Sequence, residues 1–210
     1  MNKRRYTKRR RAEQEAETRR RIVAAAAELH GEKGPRDTTV SAIAARAGVQ
    51  RLTVYRHFPD ERSLFQACTS HWLADNPPPG LDDWAGVQEP EHRTRTALTA
   101  LYAYYRRTSE MWRLSYRDRE DVEALQAPMA GFQQHLDRIR QDLLSAWKPG
   151  RGTGEHMRAV LGHCLRYGYW RDFNEEGLAD EAMAALATAW LRCIAAGRPE
   201  KQAGAGGPQG

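Results

Sequence analysis

The chain has 210 residues, 40% hydrophobic and 29% charged, with 33 Lys/Arg against 27 Asp/Glu. That apolar share suffices for a packed core and excludes a disordered chain, and without an 18-residue apolar run neither a transmembrane helix nor a membrane partner is expected. The positive excess is uneven: residues 1–76 carry 16 basic and 9 acidic residues and 77–210 carry 17 and 18, which predicts a polyanion-binding N-terminal third.

Residues 1–11 hold seven Lys/Arg and no acid. A like-charged block repels itself, so 1–12 is expected to be a disordered basic arm, either solvated or laid along phosphates or a minor groove. It has no apolar h-region, so no secretory signal is expected and cytoplasm is the default compartment. From Glu13 the pattern turns helical, with Ile22, Val23, Ala26, Ala27 and Leu29 on one stripe. Gly31 or Gly34 ends that helix and Pro35 blocks its continuation.

Thr38 or Thr39 is placed to cap the next helix, whose apolar face is Val40, Ile43, Ala44 and Ala47. Gly48 permits a tight turn. Val49 and Val54 then pin a second short helix back onto the first. Gln50, Arg51, Thr53, Tyr55, Arg56 and His57 are left as a cluster of donors on an exposed helix. A helix-turn-helix presents side chains to the major groove in this way. Pro59 breaks the chain again, and Asp60 caps a helix that buries Leu64, Phe65, Cys68 and Trp72.

Asn76-Pro-Pro-Pro-Gly80 is incompatible with helix, and 77–90 reads as a linker. A second helical block spans 91–196. It opens with Leu98, Leu101, Tyr102 and Tyr105 on one face, followed by a shorter segment with Met111, Trp112, Leu114 and Tyr116. A short helix over Asp118–Gln126 and a longer one from Pro128 come next, the latter with Phe132, Leu136, Ile139 and Leu143 on one stripe. After a glycine-rich loop, two helices are expected, about Glu155–Asp172 and Leu178–Ala196. The Gly/Pro/Gln-rich stretch 197–210 reads as a disordered tail. No strand or repeat is evident. The fold class is therefore all-α, with nine or ten helices: a three-helix helix-turn-helix DNA-binding domain over 13–76, and a second helical domain over 91–196.

Tyr102, Tyr105, Trp112, Tyr116, Met129, Phe132, His163 and Tyr167 are candidates to line an apolar, aromatic pocket between helices; helical spacing fits ordinary core equally well. His156 and His163 share a face but have no acidic or cysteine partner at ligand spacing, so no metal site is expected. Cys68, Cys164 and Cys193 read as buried thiols. No phosphate loop, nucleophile elbow or paired catalytic carboxylates appear, so neither enzymatic activity nor a cofactor is expected.

Residues 15–75 resemble the N-terminal domain of TetR-family transcriptional regulators. The resemblance rests on the helix ending before Gly34, then Thr39-x-x-x-Ile43-Ala44, Ala47-Gly48-Val49, Thr53-x-Tyr55-x-His57-Phe58, and Leu64 beyond. It implies that Thr39 contacts a phosphate and that Gln50, Arg51 and Thr53 reach base edges, Arg51 being suited to bidentate pairing with guanine. Tyr55 and His57 would hold phosphates, with Arg56 serving either purpose. Glu61 stands where the family usually has a lysine, so Arg62 is expected to make that contact instead. Leu52 stands where small residues are common, either touching a thymine methyl or packing on the first helix. Leu161, Leu165, Leu186, Trp190 and Ile194 form an apolar stripe on the last two helices that fits either the domain core or a second subunit; the resemblance implies the second, a homodimer, and makes 91–196 a ligand-binding and dimerisation domain. Its double-stranded DNA partner would be a palindromic operator, and an apolar or aromatic small molecule its effector. A ligand-free architectural DNA-binding protein and a helical small-molecule carrier are the alternatives.

Overall fold

The structure, a computed structural model, describes residues 3–150 and 152–197. Those residues form nine α-helices and two short 3-10 turns, with no strand among them. The helices are α1 (Lys3–Lys33), α2 (Val40–Arg46), α3 (Arg51–His57), α4 (Glu61–Asp75), α5 (Pro90–Asp118), α6 (Gln126–Trp147), α7 (Gly154–Cys164), α8 (Tyr167–Glu175) and α9 (Asp180–Ala195). The 3-10 turns are Leu81–Trp84 and Glu123–Leu125. The all-α architecture with an N-terminal helix-turn-helix is as the sequence predicts.

Helix α1 starts earlier than expected, at Lys3, inside the stretch read as a disordered arm. Two causes oppose the charge repulsion. Arg, Lys, Glu, Gln and Ala are strong helix formers, and a helix already fixed at Ile22–Leu29 extends without a new nucleus. Arg9 and Glu13 also pair at 2.8 Å one turn apart. Met1 and Asn2 of the expected arm, and the expected tail beyond Gly197, lie outside the described residues.

Two compact units divide the chain, and their limits are not the linear ones the sequence suggests. The first comprises the chain up to Pro79 together with Ala103–His135; the second comprises Gly80–Tyr102 and the chain from Leu136. Helix α5 is unbroken over 29 residues and contributes to both. It absorbs the shorter segment expected at Met111–Tyr116, and Asp118–Gln126 is a turn with one 3-10 step.

The stretch 77–90 is not a free linker. Trp84 is fully buried in the second unit, where its indole N–H donates to Asp142 Oδ2 at 2.9 Å. Arg93 grips the same carboxylate through Nε at 3.0 Å and Nη2 at 2.6 Å, and donates to the carbonyls of Trp84, Ala85 and Val87. Partial burial would raise the Asp142 carboxyl; Arg93 and the Trp84 indole outweigh that and hold it below its ordinary value.

The helix expected over Glu155–Asp172 is two, broken at Leu165–Arg166. Leu161, Cys164 and Leu165 bury on α7, and Tyr167, Tyr169 and Trp170 bury on α8. One continuous helix would carry the 161, 164, 165 face on through 168 and 172 and turn Tyr167 and Trp170 away from it, whereas the break gives α8 its own direction and lets both bury. Of the three cysteines, Cys68 and Cys164 are buried as expected, whereas Cys193 is exposed on α9.

Candidate nucleic-acid interface

The first unit builds the interface on a core of small residues. Ile22, Ala25, Ala26 and Leu29 of α1 meet Ile43, Ala44 and Ala47 around α2, Val54 and Phe58 around α3, and Leu64 and Cys68 of α4. Alanine at so many contacts brings the short helices close, since their backbones meet without long side chains between them. Gly48 carries the turn between α2 and α3 at φ 64°, a left-handed conformation that strains any residue with a Cβ. The Val49 amide donates to the Ala44 carbonyl at 3.0 Å and locks the turn.

Each end of this motif is fixed by a side chain. Thr39 is the N-cap of α2, its hydroxyl accepting from the Ala42 amide at 3.2 Å. That bond uses a lone pair, so the hydroxyl proton stays available to a phosphate. Asp60 caps α4 by accepting from the Ser63 amide at 2.6 Å, which holds the Asp60 carboxyl below its ordinary value. Arg46 ties α2 to α1 through Glu28 and Glu32 at 3.2 and 2.8 Å. Arg19 of α1 donates to the His57 carbonyl at 2.8 Å and lies over the Phe58 ring at 4.0 Å, which fixes the end of α3.

Seen from outside, α3 buries only Val54. Gln50, Arg51, Tyr55 and Arg56 are exposed, while Thr53 and His57 are half-buried at its flanks. Gln50 is the N-cap residue but makes no side-chain cap bond, so its amide is not spent on the helix. Arg51 lies over the Tyr55 ring at 5.5 Å and donates to its hydroxyl at 3.0 Å. A guanidinium held against an aromatic face loses little entropy on meeting a base, and its remaining N–H groups form the fork that guanine accepts. The structure thus places Gln50, Arg51, Thr53, Tyr55, Arg56 and His57 along one helix, with Thr39 at the start of the helix before it. Arg62 is also exposed but points to Glu123 at 3.0 Å, an open pair that solvent weakens. Glu61 is exposed in the first turn of α4, where a carboxylate suits the helix end.

Sequence reasoning missed a buried latch behind the motif. Asp118, at the end of α5, is fully buried. It accepts from the Arg36 amide at 3.1 Å and from Arg117 Nε at 2.6 Å. Arg117 also donates to the Lys33 carbonyl at 2.8 Å and to Asp37 at 3.1 Å. Desolvation would raise the Asp118 carboxyl, but Arg117 and the Arg36 amide hold it below the ordinary range. Gly34 makes room for the latch: it stands at φ 94°, and a Cβ there would collide with the Arg117 guanidinium and the Asp118 carboxylate. Beside it His30 is buried, with Nδ1 3.4 Å from the Cys68 sulfur and its ring 5.0 Å from Phe65. Burial pulls the His30 imidazole down to about 4, with Asp118 opposing, and pushes the Cys68 thiol up to about 12. Only Gly34 next to Pro35 hints at this latch in the sequence; the partner 84 residues away has no local signal.

The predicted pocket residues separate into two groups, one per unit. Tyr105, Trp112, Tyr116 and Phe132 cluster in the first, with Trp112 and Phe132 rings 4.2 Å apart and Tyr105 6.2 Å from each. Met129 is half-buried in the same unit. Tyr104, not foreseen, stacks on Phe132 at 6.1 Å, and burial pushes its hydroxyl up to about 12. Tyr102 and Tyr167 are core of the second unit, Tyr102 donating to the Cys164 carbonyl at 2.9 Å. His163 is exposed there, edge-on to Tyr169 at 5.4 Å. The expected dimer residues divide too. Leu161 and Leu165 are buried by their own chain, which corrects their assignment to a partner face. Leu186 and Trp190 of α9 are 47% and 48% exposed, and Ile194 is half-buried.

Residues 22–68 match the sequence profile described as bacterial regulatory proteins, tetR family. An uncharacterized HTH-type transcriptional regulator of Mycobacterium tuberculosis is 43% identical over 60 residues, a match covering 29% of this chain and 32% of that protein. The match thus spans about a third of that relative. A TetR-like transcriptional regulator from Rhodococcus has a TM-score of 0.59 at 17% identity, over 86% of this chain and 97% of its own. A TetR-family regulator from Thermus thermophilus has a TM-score of 0.55 at 20% identity, over 84% and 97%. At these identities the likeness is one of fold.

Proposed function

We propose, from the match of residues 22–68 to the tetR family of bacterial regulatory proteins, that the chain is a sequence-specific, ligand-responsive transcriptional regulator that acts in the cytoplasm as a homodimer on a palindromic operator. The observation that carries this is the pairing of an outward donor set on α3 with a motif fixed at both ends. Gln50, Arg51 and Thr53 read bases; Thr39, Tyr55, Arg56, His57 and Arg62 hold phosphates. One seven-residue helix covers few base pairs, so a second copy is needed for useful specificity. The stripe Leu186, Trp190 and Ile194, at successive turns of α9, is the face we assign to that copy. A dimer seated over a promoter blocks it by occupancy alone, which favours repression.

The effector we assign to the aromatic cluster of the first unit, where Tyr116, Met129 and Phe132 are half-buried above Tyr105 and Trp112. An apolar or aromatic molecule suits that lining. Its lining shares α5 with Asp118, so a ligand that shifts α5 acts on the latch and on the loop before α2. It needs only different affinities for the two positions of that helix.

Selection of bound sequences from random duplex DNA tests the reading. The expected outcome is an enriched palindrome with half-sites about 34 Å apart or a small multiple of that. No enriched sequence, with binding governed by the basic N-terminus alone, would favour the architectural alternative.

A further inference from the structure

Leu52 is 77% exposed, the most exposed large hydrophobic residue described, and lies in the middle of the proposed reading helix. Val54 is the one buried residue of α3. At about 100° per residue, positions two before and two after it face the opposite way. Those positions are Leu52 and Arg56, flanked by Arg51 and Tyr55. Packing on the first helix, the alternative use of a leucine here, is excluded by the exposure itself. Leu52 therefore takes a place that a donor or acceptor would fill if the groove were read by hydrogen bonds alone.

The major groove offers one apolar group among the four ordinary bases, the 5-methyl of thymine. We propose that Leu52 is a specificity-determining residue that packs on a thymine methyl, next to the base read by Arg51. Each half-site would then carry an A·T pair whose thymine faces Leu52. This rests on the DNA-reading function proposed above. It adds that one position is chosen by an apolar contact that no hydrogen bond replaces.

Uracil is thymine without that methyl, so the test needs no change to the protein. In the selected operator, each thymine is replaced in turn by deoxyuridine in both half-sites, and the dissociation constant of the full-length protein is measured. Losing one buried methyl is worth about fourfold per half-site. We expect such a loss at one thymine position and nearly none at the others. Leu52→Ala should bind the thymine and uracil operators within about 1.5-fold of each other, whereas Leu52→Met should keep most of the difference. Because Leu52 is exposed, both variants should melt with the parent. Operator binding indifferent to uracil at every position, or sensitivity that survives in Leu52→Ala, overturns the assignment and leaves the regulator reading intact. A selection that yields no operator overturns both.

Discussion

The helix-turn-helix and the second unit solve the same packing problem with opposite materials. Around α1–α4 the core is largely alanine, isoleucine and leucine, and Arg51 and Tyr55 stay outside. The second unit buries Trp84, Tyr102, Tyr167, Tyr169 and Trp170, leaving Trp190 outside, and ties polar ends of its aromatics to its own chain. Tyr102 donates to the Cys164 carbonyl, Trp147 to Thr94, Trp170 to Asp180 and Trp84 to Asp142, all within 2.8–3.1 Å. A buried hydroxyl or indole N–H without a partner is costly, so these partners are part of the fold. The difference teaches where to look for binding chemistry: a donor set apart from the core by small residues is available, whereas one satisfied inside it is not.

The largest effects should come from two interior carboxylates, the buried Asp118 and the half-buried Asp142, which test whether the units differ in function as well as material. Asp118→Ala leaves Arg117 and the Arg36 amide without their acceptor and should cost roughly 3 kcal/mol in denaturant unfolding. Asp142→Ala strands Arg93 and the Trp84 indole, at a similar cost of roughly 3 kcal/mol. The expected contrast is in DNA binding. With the protein kept folded, Asp118→Ala should weaken operator binding by loosening the loop before α2, and Asp142→Ala should not. Equal loss of DNA affinity in both would erase the distinction.

Acid should also act on the first unit through His30. Its imidazole titrates at about 4 when folded and at the ordinary 6.5 when unfolded. Between those values the unfolded chain binds the extra proton, so stability rises with pH across that window and falls on acidification. The loss from pH 7 to pH 4 should be roughly 2–3 kcal/mol. His30→Gln should flatten the dependence in unfolding followed at several pH values; an unchanged slope would remove His30 as its origin.

The parts that were legible from the chain follow from the same contrast. The motif from Thr39 to Phe58 is readable because its spacing is set locally: a cap, an apolar face, a left-handed glycine, a second short helix. The Asp118 latch and the Trp84–Arg93–Asp142 knot depend on residues 49 or more positions apart, and no local pattern marks them. The aromatic candidates failed to form one group because Tyr and Trp at helical spacing serve core and cavity alike. Tyr102 and Tyr105, one turn apart on α5, belong to different units. Leu161 and Leu186 look the same as sequence and differ in burial, 0% against 47%.

Arg51→Ala isolates the proposed reading function from the fold. The side chain is exposed and its bond to Tyr55 lies at the surface, so unfolding should be unchanged. Discrimination against the wrong base at one position should fall by about 2 kcal/mol in competition binding. Parent-like discrimination would move the guanine contact to Arg56.

The smallest effect concerns Thr39, where the fold and the proposed function share one hydroxyl. Its oxygen caps α2 by accepting from Ala42, and its proton is the part proposed to meet phosphate. Thr39→Ala removes both and should cost about 1 kcal/mol of stability. Thr39→Asp separates them. Aspartate is at least as good an N-cap, and its charge suits the helix N-terminus, so stability should match or exceed the parent. The same carboxylate would face a phosphate, so operator affinity should fall, and fall most at low salt, where the repulsion is least screened. A variant that melts at or above the parent yet binds operator worse would place Thr39 at the boundary between the two roles. If Thr39→Asp kept full affinity across salt concentrations, Thr39 would be a cap alone and the phosphate contact would pass to Tyr55 and His57.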